Sequence, residues 1–504
     1  MTAQARHLSG VSLAGILRGD AEIPAGRDLK LQGLALDSRA VHPGYLFLAC
    51  HGHDHHGLQH LADARVRGAL AVAYDPEGAL DYLPALKGLP AFAVRNLDQH
   101  AGFIAARFYG DPSTAQQVVA VTGTNGKTSV SQITAQALTE LGKSCGVLGT
   151  LGYGLYGRLE NPTHTTPDAV SVQQWLATFR DRDIQHVSME ASSHALDQGR
   201  LSGVHVGVAV FTNLTRDHLD YHANMENYAA AKRRLFEMPG VKQAVINLDD
   251  AFGQELSRSL PNGVDCIGYT LDPGCTHTGK MLRAKNMLLH SSGMGFDVEG
   301  DFGTGHVDCR LLGDFNMHNL LAVLGVLLAL DISFVDALRV LGNARTVPGR
   351  MECFGGARMA LVVVDYAHTP DALEKALIAV RAHCRGQVWC VFGCGGERDR
   401  GKRPQMGAIA VRLADRIILT DDNPRHEDGD AIITEIMAGI SDRSRVQVQR
   451  NRAQALAQAI SAATPDDVVL VAGKGHESHQ VVGDDQLPYS DRDTVAALLK
   501  GVQA

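Results

Sequence analysis

The stretch Val118-Val-Ala-Val-Thr-Gly-Thr-Asn-Gly-Lys-Thr-Ser129 constrains this chain more than any other. The apolar run Val118 to Val121 leads into a glycine-rich turn, and beyond it Val130, Ile133, Ala137, Leu138 and Leu141 recur with helical spacing. A strand that enters a helix through glycines makes an anion site. Gly123 and Gly126 let backbone N–H groups converge at the helix start, Lys127 adds a point charge, and the Thr128 hydroxyl can ligate magnesium. With Thr124, Asn125 and Ser129 in the same turn, a nucleoside triphosphate is the natural occupant. The general form of this motif has Gly five residues before Gly126, where this chain has Val121. A glycine turn without a ligand is the competing reading.

The chain is 504 residues long, too long for one ordinary core, and about three domains is the expectation. Residues 1–98 read as a small α/β domain, with strands at Leu46–Ala49 and Ala69–Ala73. This part also holds a histidine-rich loop, His51-Gly-His-Asp-His-His56, which reads either as a metal site or as a surface turn. A polar helix-like segment, Gln99 to Tyr109, bridges to a central P-loop domain at 99–346, whose sheet should be mostly parallel. Residues 347–504 repeat strand, loop and helix, and predict a Rossmann-like C-terminal domain with right-handed crossovers. The expected class is therefore α/β throughout.

A formal charge of −8 argues against non-specific nucleic-acid binding. Nine cysteines without a Cys-x-x-Cys pair read as reduced thiols of a cytoplasmic protein. No secretory signal opens the chain, and the longest strongly apolar stretch, Leu320 to Leu330, is too short to span a bilayer. A monomer acting on small molecules is the expectation.

In open α/β sheets the functional residues sit where strands end. Glu190 follows the strand-like His186–Met189, and His218 closes the loop after Val206–Phe211. Both should lie beside the P-loop strand, close enough to share a metal with a nucleotide. Lys232 stands in Lys232-Arg-Arg234, which by itself reads as a solvated helix face. In the last domain, Arg398 and Arg425 can each hold a carboxylate through paired hydrogen bonds, or can be ordinary surface residues paired with Glu397 or Asp428. With Asn423 and Glu477 they make a set suited to a zwitterion.

The variant Thr122-Gly-Thr-Asn-Gly-Lys-Thr128 resembles the Mur ligase family, and the resemblance runs through essentially the whole chain. It implies an ATP-dependent ligase that joins an amino acid to a carboxylate through an acyl phosphate, with two magnesium ions. Lys127, Glu190, His218 and Lys232 match the family's catalytic set, the last as a carbamylated lysine (N6-carboxylysine) that ligates the second magnesium with Glu190 and His218. Asn316, Arg350 and Asp365 match nucleotide contacts. Leu36, Ser38, His53, Asp54, His55, Thr165, Thr166, Ser192, Gln198 and Arg200 match positions around a UDP-muramoyl-dipeptide. His164 departs from the family pattern, which often has Asn there.

The loop Asp422-Asn-Pro-Arg425 resembles the signature of members that add meso-diaminopimelate, and Gly473 and Glu477 belong to the same expected site with Arg398. Three rivals remain open: a lysine-adding ligase, a folylpolyglutamate synthase, and a nucleotide-gated binding module. Because the amine and ATP sites are expected on different domains, a closure step that joins them is expected, with hinges near residues 98 and 347.

Overall fold

The computed structural model describes residues 10–24, 26–52, 55–162, 164–290, 293–356 and 359–502. These fall into two compact units. The first comprises residues up to 283 with 300–302 and 319–337, and the second comprises 284–299, 303–318 and the chain from 338 onward.

After a short antiparallel pair, Val11–Ser12 with Lys30–Leu31, the first unit forms four parallel strands in sequential order, β1 Gly33–Ala35, β2 Tyr45–Ala49, β3 Ala71–Tyr74 and β4 Ala91–Ala93. Helix α1, Leu97–Tyr109, is less polar than its sequence suggested. Its Asp98, Gln99, His100 and Arg107 mask a face in which Leu97, Ala101, Ile104, Ala105 and Phe108 are buried. That face closes a core shared with Leu46, Leu48, Ala71 and Phe92 on one side and with Ala169, Val170 and Ala177 on the other. The helix start is fixed as well, because Leu97 N–H donates to Asp75 Oδ2 at 3.0 Å.

The P-loop strand β5, Gln117–Thr122, lies inside a larger sheet. It is followed by α2 Lys127–Glu140, β6 Cys145–Gly149, α3 Ala169–Arg180, β7 His186–Glu190, β8 Val208–Phe211, α4 Met225–Arg233, β9 Gln243–Asn247 and β10 Asp265–Thr270. The parallel order is β6-β7-β5-β8-β9-β10. The chain leaves β5 toward β6 on one side and later returns to β8 on the other, so β5 sits at the switch point where a crevice opens beyond the carboxyl ends. Val118 to Val121 are all nearly inaccessible, as expected of a parallel strand covered on both faces.

Helix α5, Phe315–Ala329, begins in residues grouped with the second unit and ends in residues grouped with the first; Leu320 to Leu324 are fully buried. The second unit then supplies β11 Glu352–Gly355, β12 Leu361–Asp365, α6 Pro370–Ala382, β13 Val388–Phe392, α7 Lys402–Leu413, β14 Arg416–Leu419, α8 Gly429–Met437, β15 Val446–Val448, α9 Arg452–Ala462 and β16 Val468–Ala472. Its sheet runs β11-β12-β16-β13-β14-β15, antiparallel only at β11. A hairpin, β17 His479–Val482 with β18 Asp485–Pro488, and helix α10 Asp491–Val502 complete it. The loops after β12, β16, β13 and β14 thus emerge side by side at one sheet edge. All nine cysteines are free thiols.

Candidate active site

The first-unit site is built on the turn between β5 and α2. Gly123 and Gly126 have φ of 149° and 87°, and the helix cap at Gly126 offers no side chain to the first N–H groups of α2. Those donors are left for an anion. A side chain at Gly123 would also collide with Thr212 Oγ1, 1.9 Å from an ideal Cβ. Lys127 Nζ folds back onto the turn and donates to the carbonyls of Gly123 and Thr124, both at 2.8 Å. The turn is braced from the loop after β8: Thr124 N–H donates to Asn213 O at 2.8 Å, Asn125 N–H to Asn213 Oδ1 at 2.9 Å, and Thr212 Oγ1 to Asn125 O at 2.6 Å. Ser129 lies in the first turn of α2.

Strands β7 and β8 flank β5, so the residues that end them stand beside the turn. Glu190 pairs in register with Val121 and is buried. Its Oε2 accepts from Thr128 Oγ1 at 2.9 Å and from Thr150 Oγ1 at 3.2 Å, and its Oε1 from Thr150 N–H at 2.7 Å. His218 takes a left-handed φ of 53° and contacts the rings of His194 and Tyr228 at 4.8 and 6.2 Å.

Lys232 is the residue whose surroundings differ most from its sequence context. Within a run of three basic residues it is 1% exposed, whereas Arg233 and Arg234 reach Glu255 and Asp197. Its Nζ lies 4.2 Å from the centroid of Tyr228. Burial, reinforced by the Lys127 ammonium and opposed by Asp217, holds this amine well below the usual lysine range. Tyr228 joins these parts, since its hydroxyl also meets Thr124 Oγ1 at 3.2 Å.

A second chain of contacts runs from the same strand end. Thr165 accepts from Thr150 Oγ1 at 3.2 Å, Thr166 Oγ1 donates to Glu190 O at 2.7 Å, and Ser192 N–H donates to Thr166 Oγ1 at 3.2 Å. Arg200 donates to Thr166 O at 3.0 Å and grips Gln198 Oε1 with Nε and Nη2 at 2.9 and 2.6 Å. Thr165, Thr166, Ser192, Gln198 and Arg200 are therefore one connected group. His164 is exposed, and its backbone N–H donates to Tyr153 OH at 3.0 Å. In the N-terminal sheet, Leu36 is half-buried and Ser38 is buried in a short turn after β1. His55 is exposed beside the His51–His56 bridge, and His53 and Asp54 lie outside the described residues.

In the second unit, Asp365 ends β12, accepts from Met351 N–H at 2.8 Å, and is raised above the usual aspartate range by burial, against the pull of Arg350. The Arg350 guanidinium stacks 4.7 Å over Tyr366. Asn316 donates to Leu312 O at 2.8 Å, a tie local to the helix start.

The loops after β13, β14 and β16 meet around a buried polar knot. Asp422, Asn423 and Pro424 are buried, and burial raises the Asp422 carboxyl above its usual range. Gly473 is required beside it, because an ideal Cβ there would stand 2.4 Å from Asp422 Oδ2. Asn423 Nδ2 donates to Glu477 Oε2 at 3.0 Å. Arg425 has a left-handed φ of 52°; its N–H donates to Val481 O at 3.1 Å, its carbonyl accepts from Gly483 N–H at 2.8 Å, and Nη1 donates to Gly396 O at 2.6 Å. Arg398 is exposed and donates to Glu397 O at 3.0 Å. The two arginine-bearing loops are locked together from beneath by Arg403, which is fully buried and reaches Glu427 at 2.9 Å, Glu435 at 2.7 Å and Gly395 O at 3.1 Å.

Reading the sequence alone passed over several of these groups. Thr150 and Gly149 seat Glu190, Tyr228 links Lys232 to the turn, and Lys474 lies inside the Asn423–Glu477 pair. Asn319 lies against the P-loop turn, its Oδ1 only 2.7 Å from an ideal Cβ at Gly126. Of these, Lys474 alone had a signal in sequence, being the charged residue of a glycine loop at a strand end.

The oxygen donors at the turn suit a hard divalent cation: Thr128 hydroxyl and Glu190 carboxylate are already in contact. Among the described residues no group of three or more His, Cys, Asp or Glu could hold a metal by itself. The protein would supply part of the shell, and phosphate oxygens and water the remainder.

Comparison with known proteins adds independent findings. The family model of the Mur ligase middle domain matches residues 121–327, and that of the Mur ligase glutamate ligase domain matches 349–475. The UDP-N-acetylmuramoyl-L-alanyl-D-glutamate–2,6-diaminopimelate ligase of Alkalilimnicola ehrlichii is 49% identical over 478 residues, 94% of this chain and 95% of that protein. The ligase of the same name from Pseudomonas aeruginosa is 49% identical over 467 residues, 93% and 94% of the two chains. A solved structure of a ligase with this name is 34% identical, with a TM-score of 0.74 over 98% of this chain and 100% of the other.

Proposed function

Because this chain belongs to the Mur ligase family, we propose that it is the ADP-forming ligase that adds meso-diaminopimelate to UDP-N-acetylmuramoyl-L-alanyl-D-glutamate. The product is a peptidoglycan precursor. The observation that carries the choice of amino acid is the loop Asp422-Asn-Pro-Arg425 at the carboxyl edge of its sheet, with Arg425 beside Gly396. A guanidinium there suits the second carboxylate that distinguishes diaminopimelate from lysine.

The γ-carboxylate oxygen of the substrate's D-glutamate attacks the γ-phosphorus of ATP; an O–P bond forms and the bond to ADP breaks. The amine nitrogen then attacks the acyl carbon and expels phosphate, leaving one amide. Phosphoryl transfer asks little covalent help of a protein, so positioning and charge dominate. Lys127 and the open N–H groups of α2 hold the triphosphate, with Thr124, Asn125, Ser129, Asn316, Arg350 and Asp365 as further nucleotide contacts. Thr128 would hold one magnesium, and Glu190, His218 and Lys232 as its carbamate a second. Bound magnesium would neutralise charge gathering on the phosphoryl oxygens. The buried, suppressed amine of Lys232 supports this role, since only a neutral amine takes up carbon dioxide. Thr165, Thr166, Ser192, Gln198 and Arg200 support the muramoyl peptide, and Leu36, Ser38 and the loop 53–55 the uridine end. Functionally, residues 1–98, 99–346 and 347–504 serve the uridine nucleotide, ATP and the amino acid respectively.

No helix of the described residues is long and apolar enough to cross a membrane, and a cytoplasmic monomer fits this chemistry. The test is an amino-acid panel with the purified protein, ATP, magnesium and UDP-muramoyl-dipeptide. Release of ADP with meso-diaminopimelate and not with lysine is expected. Equal turnover with lysine would reassign the substrate, and turnover indifferent to both amine and peptide would point to a nucleotide-gated module.

A further inference from the structure

The glycine loop after β16 carries a lysine to which the scheme above gives no task. Lys474 is 0% exposed, and its ammonium donates to Asn423 Oδ1 at 2.9 Å and to Glu477 Oε2 at 2.7 Å. Asn423 Nδ2 donates to that same carboxylate oxygen, and Val481 N–H donates to Asn423 Oδ1 at 2.9 Å. These contacts fix two side chains at once. The Asn423 amide satisfies its neighbours in only one of its two flips, with oxygen toward Lys474 and Val481 and nitrogen toward Glu477. Oε2 of Glu477 is taken up by two donors, whereas Oε1 has no partner among the described residues and the side chain keeps 23% of its surface open.

We propose that Lys474 is a positioning residue for the incoming amino acid, turning Glu477 so that Oε1 receives an ammonium group and holding the Asn423 amide in the flip that supports it. This rests on the reading of Asn423 and Glu477 as amino-acid contacts. The charge balance agrees with it. Burial pushes the Glu477 carboxyl up, but the Lys474 ammonium and the hydrogen bonds from Lys474 and Asn423 more than offset this and leave it below the usual glutamate range. An acid that stays charged while half-covered is what an ammonium ligand needs.

The test is a double-mutant cycle on the full chain, read as separate KM and kcat values for meso-diaminopimelate. Lys474→Met should raise that KM about 10- to 100-fold, the effect of losing one charge-assisted hydrogen bond, with kcat within about threefold. KM for ATP and for UDP-muramoyl-dipeptide should stay put, which a general loss of structure would not allow. In a Glu477→Gln background, Lys474→Met should add less than about threefold. Full additivity, or an unchanged KM in Lys474→Met when Glu477→Gln raises it, overturns the proposal. If Glu477→Gln alone has no effect, the recognition scheme falls and the proposal with it. Should Lys474→Met fail to fold, Lys474→Gln, which keeps a donor and loses the charge, carries the same comparison.

Discussion

A single methyl group at Gly149 should disable the site by displacing Glu190, with every catalytic and binding side chain left unsubstituted. Gly149 ends β6, and an ideal Cβ there lies 2.4 Å from Glu190 Oε1 and 3.1 Å from the Glu190 Cδ and Cγ. Its backbone is outside the left-handed region, so alanine is conformationally acceptable. The methyl needs at least about 3.4 Å, so the carboxylate must retreat by about 1 Å. Oε1 then leaves Thr150 N–H, now at 2.7 Å, and Oε2 is drawn from Thr128 Oγ1, now at 2.9 Å. Hydrogen bonds to a charged group contribute about 1.5–3 kcal/mol each, and a shift of about 1 Å in a positioned group costs about 100-fold in rate. Gly149→Ala should therefore lower kcat about 30- to 100-fold and raise the magnesium concentration needed for half-maximal turnover. ADP release across a magnesium titration measures both. Gly146→Ala, on the same strand but away from Glu190, is the control: its Cβ would meet Phe179 of α3 at 2.7 Å and should lower the melting temperature while leaving the magnesium midpoint alone. Gly149→Ala with normal turnover and a normal magnesium midpoint would refute the argument.

Other perturbations follow from the same geometry. Lys232→Ala should be inactive and partly rescued by short carboxylic acids that stand in for the carbamate; inactivity without rescue would count against the modification. Arg425→Ala should raise the KM for meso-diaminopimelate about 10- to 100-fold with a smaller change in kcat, from the loss of a charged hydrogen-bond donor, and an unaltered KM would remove the basis for amino-acid choice. His476 is held neutral, its pKa lowered from 6.5 to about 4 by burial and then by Arg350. The unfolded chain binds this proton more readily, so stability rises with pH across that window and is lost as pH falls from about 6.5 toward 4. Urea unfolding at pH 7 and pH 5 should show a loss of stability that is about 2 kcal/mol smaller in His476→Phe than in the parent chain.

The sheet architecture could be read from the sequence because strands and turns are local patterns. Val118–Val121 and the two glycines identify the strand-to-helix turn, and the polar loops follow apolar runs that end at one edge of their own sheet, Glu190 and His218 in the first unit and Asp422 and Gly473 in the second. Burial was less legible. Lys232 looks solvated among Lys232-Arg-Arg234 because a helix face is assigned by its neighbours in sequence, whereas its burial comes from Tyr228 and the turn it packs against. The polar positions of Leu97–Tyr109 likewise hid a buried face that two other segments create. Gly149 and Asn319 act through close approach to Glu190 and Gly126, residues distant in sequence, and no local pattern records such an approach.

The way Arg425 is anchored bears on how such a protein can be retooled. Its main-chain N–H and carbonyl are bound to the hairpin at Val481 and Gly483, and any non-proline residue can make those two bonds. The side chain is thus an interchangeable part on a fixed mount, with one restriction: φ of 52° favours glycine, asparagine and aspartate among replacements. Descendants that switch to another amino acid can exchange this position while their framework stays intact.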